Sequence, residues 1–239
     1  LGFLASHRGT FLDATKALRN HWLSLSTEEV FQTRPTSLLK GVLRSGASLL
    51  AGGSALGPGF RSLLDTSPLR QFVKRSIVMS TIQERLDAGE IEAVGLTAIS
   101  YQTGRTILFV QGDAPIQTMP SRSHHRIVQT SLTIDHIIAS ASIPILFPAV
   151  KIGQEYYGDG SFRLTAPLGP AIHLGAERIF AISARYSHTT SEEKRSDSIG
   201  YPPPARVLGL LLNSVFLDTL DWDATSVRRI NHLIDQLGP

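Results

Sequence analysis

The sequence contains no cysteine, only two methionines and two tryptophans, and no apolar run close to the ~20 residues of a bilayer-spanning helix. Without cysteine, disulfide frameworks and thiolate metal sites are excluded. Charges nearly balance, because 23 Lys and Arg face 20 Asp and Glu. A net charge of +3 is not the footprint of a nucleic-acid-binding protein. We expect a cytoplasmic protein without nucleic-acid partners, with peripheral membrane contact left open.

The length of 239 residues, with 42% hydrophobic composition, suffices for one sizeable core. We therefore expect a single domain over residues 1–239. The first residue is Leu1, and no charged and apolar leader pattern opens the chain. This start predicts an N-terminally truncated domain.

Local patterns alternate between helix and strand. Thr10 and Asp13 form a capping box before a helix over 11–24, and Ser67-Pro68 opens one long or two short helices that end at Gly89. The middle of the chain predicts a hairpin of 91–101 with 106–110, a loop over 112–131, a helix from Thr133 to about Ser142 and extended chain over 145–152. The last third predicts a helix from Pro167 to Gly175, a buried strand over 178–184, a loop over 185–204 and a helical face over 208–216. A last helix is predicted to be capped by Asp223, with Val227, Ile230, Ile234 and Leu237 inward. The alternation predicts an α/β layered fold with a central mixed, mainly parallel sheet flanked by helices.

Asp159 is the strongest candidate for chemistry. It lies between Gly158 and Gly160 at the end of a predicted strand. Flanking glycines allow a tight turn and close approach to another segment, which fixes the carboxylate at the carboxyl edge of a sheet. Gly-Asp-Gly is also common turn chemistry, and taken alone the turn interpretation is favoured.

Several spaced motifs surround this aspartate. They are DHIIASASIPILFPAV (135–150), YGDGS (157–161), APLGPAIHLGA (166–176), VGLTAISY (94–101) with TGR (103–105), and LLNSVFLD (211–218) with RIN (229–231). Together they resemble the patatin-like phospholipase family over nearly the whole chain. The resemblance implies a layered patatin-like α/β fold and a serine lipid acyl hydrolase that uses a Ser-Asp dyad and no cofactor or metal.

By this resemblance Asp159 is the base and proton acceptor, with Gly158 and Gly160 forming the motif turn. An unperturbed aspartate with a pKa of ~3.9 is a poor base at neutral pH, so the role requires partial burial. The partner is a lipid or other acyl-ester substrate.

The nucleophile motif Gly-x-Ser-x-Gly does not occur in the sequence. The opening residues LGFLAS resemble the helix that follows this elbow in the family, so we expect the serine and a glycine-rich oxyanion loop upstream of Leu1. Residues 52–57 (GGSALG) are no substitute, because Leu56 stands where the elbow needs glycine and no strand precedes it.

Other polar residues are weaker candidates for the site. Ser161 could hydrogen-bond the aspartate, but a solvated turn serine is favoured. His173, His188 and His232 follow the acid by position only, and His124 with His125 lies in a predicted basic loop. No histidine has convincing metal spacing. The glycine-rich segment 38–60 is either a mobile cap that touches lipid or, as we favour, leucine packing over the active-site layer.

Three functions remain open at this point. The first is a lipid acyl hydrolase in the complete protein, with these 239 residues inactive alone. The second is a noncatalytic lipid-binding or scaffold protein of the same fold. The third, an unrelated α/β binding domain, requires all the spaced motif matches to be coincidental.

Overall fold

The computed structural model of the chain describes residues 1–31, 62, 64–113, 125–163, 167–182 and 218–237. The predictions for 38–60, 185–204 and 208–216 lie outside these ranges. The chain divides into two compact units, Leu1–Gly160 and Ser161–Pro239. The expectation of one domain over 1–239 stays a prediction.

Six helices are described in the first unit. They are α1 (Gly2–Ser6), α2 (Phe11–Ser24), α3 (Thr27–Val30), α4 (Ser67–Ser76), α5 (Met79–Asp87) and α6 (Ile134–Ser140). The predicted start of α2 is confirmed, since the Thr10 hydroxyl accepts a hydrogen bond from the Asp13 N–H at 3.2 Å. The stretch after Ser67 forms two short helices, and Gly89 takes the left-handed backbone that ends the second one, with φ +68°.

Five strands in the described ranges form one mixed sheet. They are β1 (Ala93–Ser100), β2 (Thr106–Gly112), β3 (His125–Gln129), β4 (Val150–Ile152) and β5 (Glu155–Asp159), in the order β3-β2-β1-β5-β4. The predicted hairpin of β1 and β2 is confirmed. The mixed sheet flanked by helices is also as expected, but among the described strands only β2 and β3 pair in parallel. The expectation of mainly parallel pairing therefore does not hold for these five strands.

Two local predictions are wrong in this unit. The expected loop over 112–131 contains β3, which begins at His125. This strand has five residues and its side chains are partly exposed. Its sequence was not predicted as a strand because it lacks the apolar run that marks a buried strand. The expected extended chain from Ile145 begins with a turn, because the Phe147 N–H bonds to the Ile143 carbonyl at 2.9 Å.

The helix α6 packs against β1, β4 and β5. His136 on its first turn is buried, and its ring lies edge-on to Phe109 with centroids 4.5 Å apart. Its Nδ1 accepts the Thr133 N–H at 3.0 Å, which closes a capping box with histidine at the third helical position. Phe109 also packs on Tyr157 of β5. The core of the first unit thus joins the sheet to α6.

The second unit contains two described α-helices, α7 (Gly169–His173) and α8 (Asp218–Leu237), and a 3-10 helix spans Gly160–Arg163. The predicted buried strand after Arg178 is wrong where described, because 179–182 form no regular structure and Phe180 is 88% exposed. An apolar run becomes a strand only where a neighbour accepts its hydrogen bonds, and no described strand pairs with it.

The predicted cap of the last helix is also wrong. Asp223 lies inside α8, where its carboxylate accepts the Leu168 N–H at 2.8 Å. Ile230 and Ile234 of the same helix are exposed, so the inward face predicted for them is not observed. None of the helices in the described ranges has the length and apolarity that a bilayer crossing requires.

The buried His136 predicts a pH dependence of stability. Burial lowers the pKa of His136, against an opposing effect of Asp135. The unfolded chain, with an ordinary histidine pKa of ~6.5, then binds more protons below that pH, so the free energy of unfolding falls there by at most ~1.4 kcal/mol per pH unit. The loss levels off once the folded imidazole is itself protonated.

Urea unfolding across this pH range measures the effect. His136→Gln retains a standard capping-box residue without a titrating ring, so the difference in stability between the variant and the parent should change with pH in the predicted direction. A difference that stays constant over this pH range would remove His136 as its source.

Candidate active site

Asp159 is the last residue of β5 and is half-buried. It pairs with Ala98, which lies inside β1, so the aspartate ends its own strand while β1 continues beside it. Its backbone N–H donates to the Ser142 carbonyl at 2.8 Å. The backbone that carries the carboxylate is therefore held on two sides.

Ser142 connects this aspartate to α6. The residue is buried, and its hydroxyl donates to the Ile138 carbonyl at 2.7 Å. On the same helix, Ile137 contacts Gly2 closely: a Cβ built on Gly2 would lie 3.0 Å from the Ile137 Cδ1. One helix thus contacts the beginning of α1 and the segment that bonds to Asp159.

The two flanking glycines are required for close contact. A Cβ on Gly160 would lie 2.6 Å from the Thr97 carbonyl carbon and 2.8 Å from the Ala98 nitrogen, and a Cβ on Gly158 would lie 2.3 Å from the Tyr101 hydroxyl oxygen. Neither glycine is among those with positive φ. The predicted close approach is therefore present, whereas the predicted turn does not depend on left-handed backbone at either position.

Tyr101 is a site residue that the sequence analysis missed. Its phenol lies against Gly158, and its N–H bonds to the Tyr156 carbonyl at 2.9 Å. Burial raises the pKa of the Tyr101 phenol, and the negative charge of Asp159 raises that pKa further. The phenol is therefore an electrostatic neighbour of the candidate base, and it is neutral at physiological pH.

A polar cluster at the beginning of β5 holds the strand in register. The buried Ser100 hydroxyl donates to Glu155 at 2.6 Å, and Tyr157 hydrogen-bonds the same carboxylate. Burial raises the pKa of Tyr157, the charge and hydrogen bond of Glu155 raise it further, and Arg126 lowers it. Because Tyr157 and Asp159 belong to one strand, this cluster helps to position the aspartate along β1.

Ile145 lies in the turn that follows Ser142. Its φ of 70° is in the left-handed region, which is rare for a β-branched residue and costs roughly 1–2 kcal/mol. The side chain is exposed, and the next residue, Leu146, accepts the Leu64 N–H at 2.9 Å. The strained residue thus stands three positions from the carbonyl that holds Asp159.

Three of the remaining sequence candidates, Ser161, His173 and His232, belong to the second unit. His173 is half-buried on α7 with an Nδ1 that has no described hydrogen-bond partner, and the exposed His232 contacts Gln236 at 3.0 Å. The placement of His125 in a loop was wrong, since it begins β3. His188, His124 and the residues 52–57 lie outside the described ranges. Ser161 is half-buried in the 3-10 helix.

A cleft of about 700 Å³ opens elsewhere in this unit, where Gln83, Gly112 and Gln129 are among its lining residues. Neither Asp159 nor Tyr101 lines it. Two of its polar side chains bond to each other, since Gln111 donates to Gln83 at 2.7 Å. In the parts of the chain that the structure describes, no group of three or more His, Asp or Glu side chains could hold a metal ion.

Comparison with known proteins gives one match. A family model described as patatin-like phospholipase matches residues 7–172, which includes β1 to β5, Asp159 and both flanking glycines. No curated protein and no solved structure matches the chain significantly.

The close approach of Gly160 predicts a steric effect on stability. Gly160→Ala places a methyl group against the backbone of β1, which cannot yield as a side chain would, so we expect a loss of ~1–3 kcal/mol or more in the free energy of unfolding. Gly158→Ala meets the end of the Tyr101 side chain, so adding Tyr101→Ala should restore part of its loss. Chemical unfolding of Gly158→Ala and Gly160→Ala, each with and without Tyr101→Ala, tests this. If Tyr101→Ala also restored the stability of Gly160→Ala, the clash of Gly160 with the β1 backbone would be contradicted.

The proximity of Tyr101 and Asp159 predicts a shift in titration. Asp159→Asn removes the negative charge, so the pKa of Tyr101 should fall while staying above its ordinary value, because burial remains. Ultraviolet absorbance in alkaline titration measures it, with Tyr101→Phe identifying which of the five tyrosines is responsible. An unchanged Tyr101 titration would show that the two groups do not interact.

Proposed function

The chain belongs to the patatin-like phospholipase family, and from this premise we propose that the full-length gene product hydrolyses lipid acyl esters with Asp159 as its base. The family consists in general of carboxylic ester hydrolases that act on lipid substrates. The matched region includes the whole described sheet. The identity of the base and the dyad mechanism are the further steps of the proposal.

In the proposed reaction, a serine hydroxyl attacks the acyl carbonyl while Asp159 accepts the hydroxyl proton. The carbon–oxygen bond of the ester breaks, the acyl group stays on the serine oxygen, and the alcohol leaves with the proton. Water then attacks the acyl-enzyme, Asp159 accepts its proton, and the free acid leaves as the serine is reprotonated. The proposal places this serine outside the 239 residues, because they contain no Gly-x-Ser-x-Gly motif.

The observation that carries this proposal is the fixed backbone of a half-buried Asp159. A general base must lie within hydrogen-bond reach of the proton it accepts, and a small displacement costs much of the rate. The 2.8 Å bond to Ser142 and the pairing with Ala98 hold the Asp159 backbone from a helix and a strand.

The position of α1 supports the same role. Gly2 packs on Ile137 of α6, and the segment after α6 bonds to Asp159. The beginning of α1 and Asp159 are thus linked through α6 and the segment that follows it, which supports a hydroxyl carried immediately before α1. The negative charge of Asp159 also raises the pKa of the neighbouring Tyr101.

Removal of the carboxylate tests the proposal. In the full-length gene product, Asp159→Asn should reduce kcat for hydrolysis of a fatty-acyl ester by about 100- to 10,000-fold, the usual contribution of a positioned base. Asp113→Asn is the matched control, because Asp113 is an exposed aspartate that follows β2 and lines the separate cleft. Hydrolysis by the control should equal that of the parent.

Retention of activity in Asp159→Asn would remove this residue from the mechanism. A full-length product that binds lipid, lacks hydrolysis and shows no difference between the two variants would favour the noncatalytic binding protein. The stability of both variants should be measured together with their activity. Because neither substitution removes the Asp159 N–H that bonds to Ser142, we expect both variants to stay folded.

A further inference from the structure

The outer face of α2 exposes four large apolar side chains. Their exposed fractions are 71% for Phe11, 61% for Leu12, 68% for Trp22 and 72% for Leu23. Exposed apolar residues are ordinary when scattered, but here they share one helix of 14 residues. The set, together with Lys16 and Arg19, is called the α2 face below.

Helical spacing brings these residues together. Leu12, Lys16, Arg19 and Leu23 follow one another at steps of four, three and four residues, so they form a single stripe along the helix. Phe11 and Trp22 lie at the two ends of the adjacent stripe. The result is a surface with aromatic and leucine side chains at both ends and two cations between them.

Packing on the inner side fixes which face α2 exposes. Ala14 is buried, and the His21 ring lies 5.0 Å from the Phe3 ring and 5.9 Å from the Phe72 ring. These contacts hold α2 on α1 and α4, so turning the apolar residues inward would break them. The exposure of the α2 face is therefore a property of the fold.

The charge of the α2 face is positive. Lys16 and Arg19 are exposed, and neither forms an ion pair with another described residue. The acid of this helix, Asp13, hydrogen-bonds the Thr10 hydroxyl at the helix start at 2.6 Å. Apolar side chains that would enter an acyl region and cations that would meet phosphates are the two features of a helix lying in a membrane interface.

We propose that the α2 face docks the protein on an anionic lipid bilayer, with Lys16 and Arg19 at the headgroup phosphates and Phe11, Leu12, Trp22 and Leu23 below them. The inference deepens the proposed function, since it names the surface by which a lipid hydrolase reaches its substrate. Binding to the bilayer can be tested independently of hydrolysis, because binding needs no nucleophile.

The two tryptophans make a direct test possible. In the full chain with Trp222→Phe, Trp22 becomes the only tryptophan and reports the polarity around the α2 face. Its emission should move to shorter wavelength with vesicles of phosphatidylglycerol and phosphatidylcholine, and much less with phosphatidylcholine alone. Added salt should weaken the binding, because screening reduces the attraction of Lys16 and Arg19 to the anionic headgroups.

Matched charge reversals separate the α2 face from net charge. Lys16→Glu with Arg19→Glu should weaken binding to the anionic vesicles by about 30-fold or more, since each cation near such a surface contributes ~1 kcal/mol and a tenfold change equals ~1.4 kcal/mol. Arg105→Glu with Lys151→Glu changes the net charge equally at two other exposed positions, one in the connection before β2 and one in β4. This control pair should bind within about threefold of the parent.

Equal losses in the two pairs would overturn the proposal, because binding would then depend on net charge alone. An absent shift of Trp22 emission would also overturn it. A dimer in sedimentation that Leu12→Ser with Leu23→Ser disrupts would overturn it as well, and would assign the α2 face to a second copy. Failure of the proposed function is distinguishable, because the Asp159→Asn protein should bind vesicles like the parent while its hydrolysis falls by about 100- to 10,000-fold. Normal binding with full hydrolysis would overturn the proposed function alone.

Discussion

The described site depends on how closely the chain approaches β1 at Gly160, the residue that follows β5. Because the Cα of this residue lies against the backbone at Thr97 and Ala98, no side chain fits between Gly160 and β1. The contact fixes where the chain leaves the sheet, and hence where Asp159 ends its strand. The bond to Ser142 and the polar cluster around Glu155 then act on a backbone whose register is already set.

Local sequence signals predicted the elements that local interactions determine. The Thr10 cap of α2, the helical stretch from Ser67 to Gly89 and the hairpin of β1 and β2 each carry their own periodicity and boundary residues. Whether that stretch formed one helix or two was open from the sequence. The short strand β3 carries no such signal, since it exists through its pairing with β2. The apolar run after Arg178 shows the converse, because strand-like composition without a described partner gives no strand.

The site was predictable to a similar degree. Flanking glycines indicated Asp159, and they indicated the close approach correctly, although the backbone at both glycines needs no positive φ. Tyr101 and Ser142 could not be found in this way. Tyr101 meets Gly158 only because of the register of β1 and β5, and Ser142 meets Asp159 only through the packing of α6. Contacts of this kind are long-range in sequence and leave no local pattern.

A single short helix supports three separate features of the first unit. Seven residues are too few for a stable isolated helix, so α6 depends on its capping box and on the contacts of His136 and Ile138 with the core. The same helix contacts Gly2 of α1, and α1 in turn contacts α2 through Phe3 and His21. A disturbance of α6 should therefore loosen the carbonyl that holds Asp159 and the support of the α2 face together. The longest of the motifs that resemble the patatin-like family, residues 135–150, begins on this helix.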